Sequence, residues 1–256
     1  KYNLTGALIA QNIYYLFLLL GLIIGNRKIR LKIQGDLFKK IFKYSVYVGL
    51  ANIGYFLFVR INTIVLGQFG MIEEISYYSL ADKVFQLILL PILIFASVVA
   101  PNSTKRYVEK KCSLIRKKLV KYSFALFLAG VVMATIAYFA SVYLFSWFLP
   151  DYNQQLLLSS LLLILILVPF RYFSGYISVG CITPTGHAKI LAVTTLSCGA
   201  LNLILDIVFV GAVGYYGIFY ATIISQLIMI FSTAITYYVI IGKVDILNKK
   251  INTHAK

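Results

Sequence analysis

Negative charge is what this sequence has least of: Asp and Glu number 8 against 24 Lys and Arg in 256 residues. Histidine is rarer still, with His187 and His254 far apart in sequence, so no catalytic or metal cluster assembles from it. The three cysteines, Cys112, Cys181 and Cys198, have none of the paired spacings of a disulfide or metal framework and read as inert packing residues. No repeat of about 20 to 50 residues is present, and there is no low-complexity stretch. These absences leave an enzyme without the means to assemble a site, and they imply no cofactor and no metal.

Apolar residues are abundant. They make up 61% of the chain, and the mean hydropathy is +0.87, far above soluble domains at roughly 45–50% apolar usage. A membrane-spanning helix needs about 20 predominantly apolar residues. Runs bounded by charge or turn clusters predict seven such spans, at 3–25, 44–67, 76–101, 120–149, 155–181, 188–212 and 215–241. The expectation is an all-α integral membrane protein. Pro91 and Pro169 fall inside the third and fifth spans, where a missing N–H and a ring clash predict kinks.

A formal net charge of +16 suggests nucleic acid in a soluble protein, but the positions of the charges exclude that partner. Seven basic residues lie between Arg27 and Lys43, and eight between Lys105 and Lys121, with Lys243, Lys249, Lys250 and Lys256 in the tail. The alternate loops carry Glu73, Glu74 and Asp151, and only Lys1 joins them. Basic residues collect in cytoplasmic loops, so the asymmetry predicts residue 1 outside and the C-terminus inside, with membrane lipid as a further partner of the basic loops. The chain begins with Lys1, and its first span has neither the basic start nor the cleavage site of a signal peptide. The expectation is that it begins within a longer protein.

The polar residues inside the spans fall on one stripe per helix at 100° per residue. In the second span Ser45, Gly49, Asn52, Arg60, Thr63 and Gly67 share an arc, and in the third Ser79, Asp82, Lys83, Gln86 and Ser97 do. The fifth contributes Ser160, Arg171 and Ser174; the sixth Asn202 and Asp206; the seventh Thr222, Ser225 and Gln226. Small and hydroxylated residues alone describe ordinary helix seams. Charge changes the reading, because a charged side chain at the bilayer centre costs about 2.5–3.5 kcal/mol even on the lenient insertion scale. Arg60, Lys83 and Arg171 must therefore meet Asp82 and Asp206, or face a wet cavity. One reading is structural, with buried pairs fixing helix register. The other is an anion-binding site with Asn52 and Gln86 beside the cations, and with Asp82 and Asp206 balancing charge or coupling an ion. Helical rise places Arg60, Lys83 and Asp206 at similar depth, roughly 10 Å below the outer surface.

Two stretches carry a family resemblance. RINTIVLGQFGMIEEISYYSLADKVFQLILLPILIFASVVAPNSTK has a charged residue before an aliphatic-Leu-Gly step, an acidic outer loop, Tyr78, the Ala81-Asp82-Lys83 triplet, Leu90-Pro91 and Pro101. GHAKILAVTTLSCGALNLILDIVFVGAVGYYGIFYATIISQ has Gly186, Lys189, Leu201-Asn202, Gly214, Gly217 and Ala221-Thr222. Together they resemble the polysaccharide flippase branch, O-antigen flippases included, of the multidrug, oligosaccharidyl-lipid and polysaccharide exporter superfamily. The resemblance implies a twelve-helix transporter of two six-helix lobes around a central cavity. Such a protein moves undecaprenyl-pyrophosphate-linked oligosaccharide from the inner to the outer leaflet of a bacterial inner membrane, for lipopolysaccharide and other surface glycans. On that pattern residues 1–32 would be the last helix of the N-terminal lobe and a basic linker, 33–243 the six-helix C-terminal lobe and 244–256 a cytoplasmic tail. Partners would be the lipid-linked oligosaccharide, the N-terminal lobe and the polysaccharide assembly machinery. The family's cationic cavity residues carry over to Arg60 and Lys83, and to Arg171. Where many relatives have an acidic residue near position 60 or 62, this chain has Arg60 and Asn62.

Two other functions compete with this one. A cation-coupled multidrug exporter of the same superfamily calls for a carboxylate-rich cavity. A membrane polysaccharide polymerase or glycosyltransferase calls for a large outer loop with clustered Arg, His or Asp, whereas the outer loops here are a few residues long.

Overall fold

The computed structural model describes residues 3–25, 35–150 and 152–254, and all of its regular structure is helical. The chain divides into two compact units, residues 1–42 and 43–256. The first holds α1, Asn3–Gly25, and the opening turns of α2, Gly35–Gln68. Its described apolar side chains, Leu16 to Leu20 among them, are exposed. The boundary expected at 32/33 lies outside the described residues, as do the basic residues from Arg27 to Lys32.

The second unit continues α2 and adds α3 (Ile72–Val108), α4 (Cys112–Phe148), α5 (Gln154–Leu165), α6 (Val168–Ile177), α7 (Ala188–Val213) and α8 (Gly217–His254). Five runs are long and apolar enough to cross a membrane: Phe38–Gln68, Ile72–Val108, Cys112–Phe148, Gln154–Ile182 and Ala188–Ile246. The last is folded in two. Gly214 adopts φ +70°, a conformation that costs an L side chain its Cβ clearance, and the chain turns back there. Asn202 then meets Ser225 and Thr194 meets Thr233, so each step down α7 matches a step up α8 and the pair is antiparallel. The expected count of seven spans is not reached among the described residues, because α1 adds only the shorter apolar stretch Asn12–Leu22.

The helices outrun the apolar segments at their basic ends, so the basic stretches 35–43, 102–108 and 112–119, expected as loops between the spans, are helical. Helix α2 already begins at Gly35, and between α3 and α4 only Glu109 to Lys111 leave the helix. Lys and Arg are good helix formers, and a hydropathy window reports contact with lipid rather than helicity. The expected tail is likewise helical to His254. That short turn places Lys110 at φ +57°, with the Lys111 amide donating to the Arg106 carbonyl at 2.9 Å.

The two prolines behave differently. Helix α3 runs on as one helix through Pro91 and Pro101. Pro169 sits in the first turn of α6, after a break that follows α5, where its lacking N–H removes no helical bond. The fifth span is therefore two helices, and it ends in a π-helical turn, Ser178–Ile182. Close approach of α4 to α6 depends on Gly130, where a Cβ would lie 2.6 Å from the Pro169 Cα. Tyr172 donates its hydroxyl to the Ile88 carbonyl at 2.8 Å, tying α6 to α3. The core between these helices contains Leu66, Ile92, Leu161, Phe219 and Tyr237, all essentially inaccessible. Large apolar residues such as Leu87, Ile94, Phe124 and Trp147 lie on the outside, as helices facing lipid require.

Candidate functional site

The polar stripes of α2, α3 and α6 meet. They line a cavity of about 710 Å³, with the first turns of α7 and the middle of α8 completing the wall. All five residues expected to bind substrate, Asn52, Arg60, Lys83, Gln86 and Arg171, line this one cavity, and Asp82 joins them. The 100° wheel is what brings them together: Asn52 and Arg60 are eight residues apart, Asp82 and Gln86 one turn apart.

The electrostatics of the cavity are cationic. Asp82 is its only carboxylate among the described residues. It accepts a hydrogen bond from Gln86 Nε2 at 2.5 Å and lies within electrostatic reach of Lys83, Arg60 and Arg171. None of the three cations forms an ion pair with a carboxylate among the described residues, where the one such pair joins Lys111 to Glu109 at 2.8 Å. Arg60 and Lys83 are exposed to the cavity and Arg171 is half-buried. The guanidinium of Arg60 lies 5.9 Å from the Phe56 ring centroid. Arg171 lies 5.4 Å from the Tyr55 ring and donates from Nη2 to the Tyr55 hydroxyl at 3.4 Å.

Asp206 is set apart from this cluster, against the expectation that it shares a site with the cations. It is fully buried, does not line the cavity, and accepts from Asn202 Nδ2 at 2.7 Å. Asn202 also donates to Asn62 Oδ1 at 3.0 Å and accepts from the Ser225 hydroxyl. Asn62 in turn donates to the Tyr78 and Thr222 hydroxyls at 2.7 and 2.8 Å. One network thus joins α2, α3, α7 and α8, and Asp206 Oδ1 has no hydrogen-bond partner within it. The wheel missed Asn62, which lies off the Arg60 stripe; the available signal was an amide inside an apolar run opposite Asn202 on another span. Equal depth did not place Asp206 beside Arg60, because depth fixes a position along the helix and says nothing of the face.

The geometry suits an anion with hydroxyl groups: three cations without ion-pair partners among the described residues, amides at Asn52 and Gln86, and aromatic wall at Tyr55 and Phe56. His187 does not line it and lies in the turn before α7, against Tyr107, Thr185 and Tyr237. No curated protein and no solved structure matches the chain. Residues 3–111, which carry Asn52, Arg60, Asp82, Lys83 and Gln86, match a family described as polysaccharide biosynthesis protein.

Proposed function

We propose that this protein is a transporter that moves lipid-linked oligosaccharide across the membrane for polysaccharide synthesis, and that the cavity takes the diphosphate and the first sugars. The observation that carries the reading is the convergence of Arg60, Lys83, Asn52 and Gln86 on one cavity in a bundle of membrane-length helices, with both cations free of carboxylates among the described residues. A cation kept from its own ion pair inside apolar helices costs free energy, and an anionic ligand offsets it. Arg supplies a planar fork suited to phosphate oxygens, and Lys a compact charge beside it.

In this reading the lipid tail stays in the bilayer while the head group enters the cavity, and the opposite wall comes from a second six-helix lobe. Alternating access of the two lobes then exposes the head group to each side in turn. Asp82 balances the cations, and Asp206 with its hydrogen-bond network on α2, α3, α7 and α8 serves as the ion-coupling element. The match of residues 3–111 to polysaccharide biosynthesis proteins supports this class over a multidrug exporter, and the single cavity carboxylate argues the same way. In this reading the protein lies in a bacterial inner membrane, with the basic helix ends and the C-terminus in the cytoplasm.

The test is Arg60→Gln and Lys83→Gln in the complete gene, scored by surface glycan and by the amount of protein in the membrane. Both variants should lose surface glycan while membrane levels hold. Wild-type glycan in both refutes the substrate site.

A further inference from the structure

We infer that Tyr55 is the residue that reads the sugar next to the diphosphate, and that Arg171 is its positioning residue rather than a third phosphate ligand. The inference rests on the transport reading above and divides the cavity into two parts with different chemistry.

The three cations are not equivalent. Arg60 and Lys83 have no hydrogen bond to another side chain among those the structure gives, whereas Arg171 donates to the Tyr55 hydroxyl. That bond crosses from α6 to α2 and holds one aromatic ring in the cavity wall. Tyr55 remains 40% exposed there and its neighbour Phe56 58% exposed. Two consecutive aromatics on one helix turn line the cavity beside its cations, and a phosphate alone gains nothing from an aromatic face.

A sugar ring gains from both ends of Tyr55. The C–H groups on the faces of a pyranose are electropositive, and the face of an aromatic ring is electronegative, so the two stack. The Tyr55 oxygen accepts from Arg171, which leaves its own proton to donate outward, and a hydroxyl that accepts from a cation donates more strongly. A sugar hydroxyl or ring oxygen is the acceptor that matches. Asn52 lies one turn before Tyr55 on the same cavity wall and offers both an amide donor and a carbonyl acceptor to the remaining hydroxyls. The diphosphate then falls to Arg60 and Lys83, which lie farther along α2 and α3.

The experiment uses the complete gene product in proteoliposomes with two fluorescent probes: a polyprenyl diphosphate bearing one hexose, and the same polyprenyl diphosphate without sugar. Tyr55→Leu should slow translocation of the hexose probe by about tenfold relative to the bare probe, the worth of one stacked ring. Tyr55→Phe, which keeps the ring, should lose less. Arg171→Gln should show the same hexose-selective loss as Tyr55→Leu, and Arg171→Lys, which keeps a donor, should recover part of it. Equal loss on both probes for Tyr55→Leu and Arg171→Gln, or no loss on either, overturns the assignment. Arg60→Gln reports separately: it should slow both probes alike, and if it slows neither while the Tyr55 selectivity stands, the phosphate site is wrong and the sugar site is right.

Discussion

Asn202 and Asp206 lie one turn apart on α7 and share a hydrogen bond of 2.7 Å, with both side chains fully buried. Asn202 is the hub of this network: it donates to the carboxylate and to Asn62 and accepts from Ser225. Removing the hub strands two buried acceptors, the Asp206 carboxylate and Asn62 Oδ1, each at about 1–3 kcal/mol, whereas Ser225 still donates to the Ala221 carbonyl at 2.7 Å. Asn202→Ala should therefore reduce folded protein in detergent sharply, as read by thermal unfolding.

Asp206→Asn answers a different question. It keeps the shape and an acceptor for Asn202 while removing the charge, so the fold should hold. If Asp206 couples an ion, glycan export should fall while the unfolding temperature stays at or above wild type. A large drop in stability instead marks the carboxylate as a structural member of the network, since removing one partner of a buried polar group is what destabilises.

Gly130 and Pro169 test the packing of α4 on α6. A Cβ at 130 would stand 2.6 Å from the Pro169 Cα and 3.2 Å from the Tyr172 Cβ, and backbone on both sides cannot move without shifting a helix. Gly130→Ala should cost about 1–3 kcal/mol as overpacking does, measured by thermal unfolding. Gly49 is the control: a Cβ there meets nothing within 4 Å, and Gly49→Ala should be neutral or slightly stabilising through helix propensity.

Much of this architecture was legible in the sequence, and the gaps have physical causes. Each predicted span except the fifth, which is broken into two helices, falls on one helix, and Asn52, Arg60, Asp82, Lys83, Gln86 and Arg171 reach one cavity because helical period fixes a face. The basic ends read as loops because charge marks the membrane boundary, whereas lysine and arginine extend α2, α3 and α4 as helix. The break before Pro169 was signalled by the proline, but Pro91 looked the same and does not interrupt α3. Asn62 and Tyr55 were invisible to a stripe built from charges and small residues: one is an amide off the stripe, the other an aromatic that passes for lipid-facing. The pairing of Asp206 with amides rather than cations depends on the hairpin at Gly214, which brings Ser225 to Asn202 and which no single helix wheel contains.

His187 sits between the fifth span and α7, with Thr185 Oγ1 3.1 Å from its Nδ1 and the rings of Tyr107 and Tyr237 against it. Burial holds its pKa below the ordinary value, and a hydrogen bond with the Thr185 backbone only partly opposes this. The unfolded chain takes up a proton near pH 6.5, the folded chain at lower pH. Between those points the unfolded state binds more protons, so stability is present above about 6.5 and declines as pH falls through the folded value. Thermal unfolding from pH 8 to 5.5 should show that decline. His187→Asn, which cannot titrate, should flatten it, and an unchanged slope in the variant removes His187 as its source.

Membrane orientation follows from where charge sits on successive turns of the bundle. The α3–α4 turn has Lys105, Arg106, Lys110, Lys111, Arg116 and Lys117 within a few residues of it, all at least partly exposed. The turns on either side of it in the chain carry none: α2 meets α3 through Phe69, Gly70 and Met71, and α4, which ends at Phe148, is followed by Leu149 and Pro150. The α7–α8 turn is Gly214-Tyr215-Tyr216, again without a base. Moving a lysine cluster through the bilayer during insertion is the costly step, so the basic turn is expected on the cytoplasmic side. Single cysteines at 35 and 111 should then resist an impermeant thiol reagent in intact cells and react after permeabilisation, while cysteines at 72 and 152 should react in both. The three native cysteines are buried, which keeps the background low. Labelling of 35 and 111 in intact cells would invert the topology, and with it the direction in which Arg60 and Lys83 first meet a substrate.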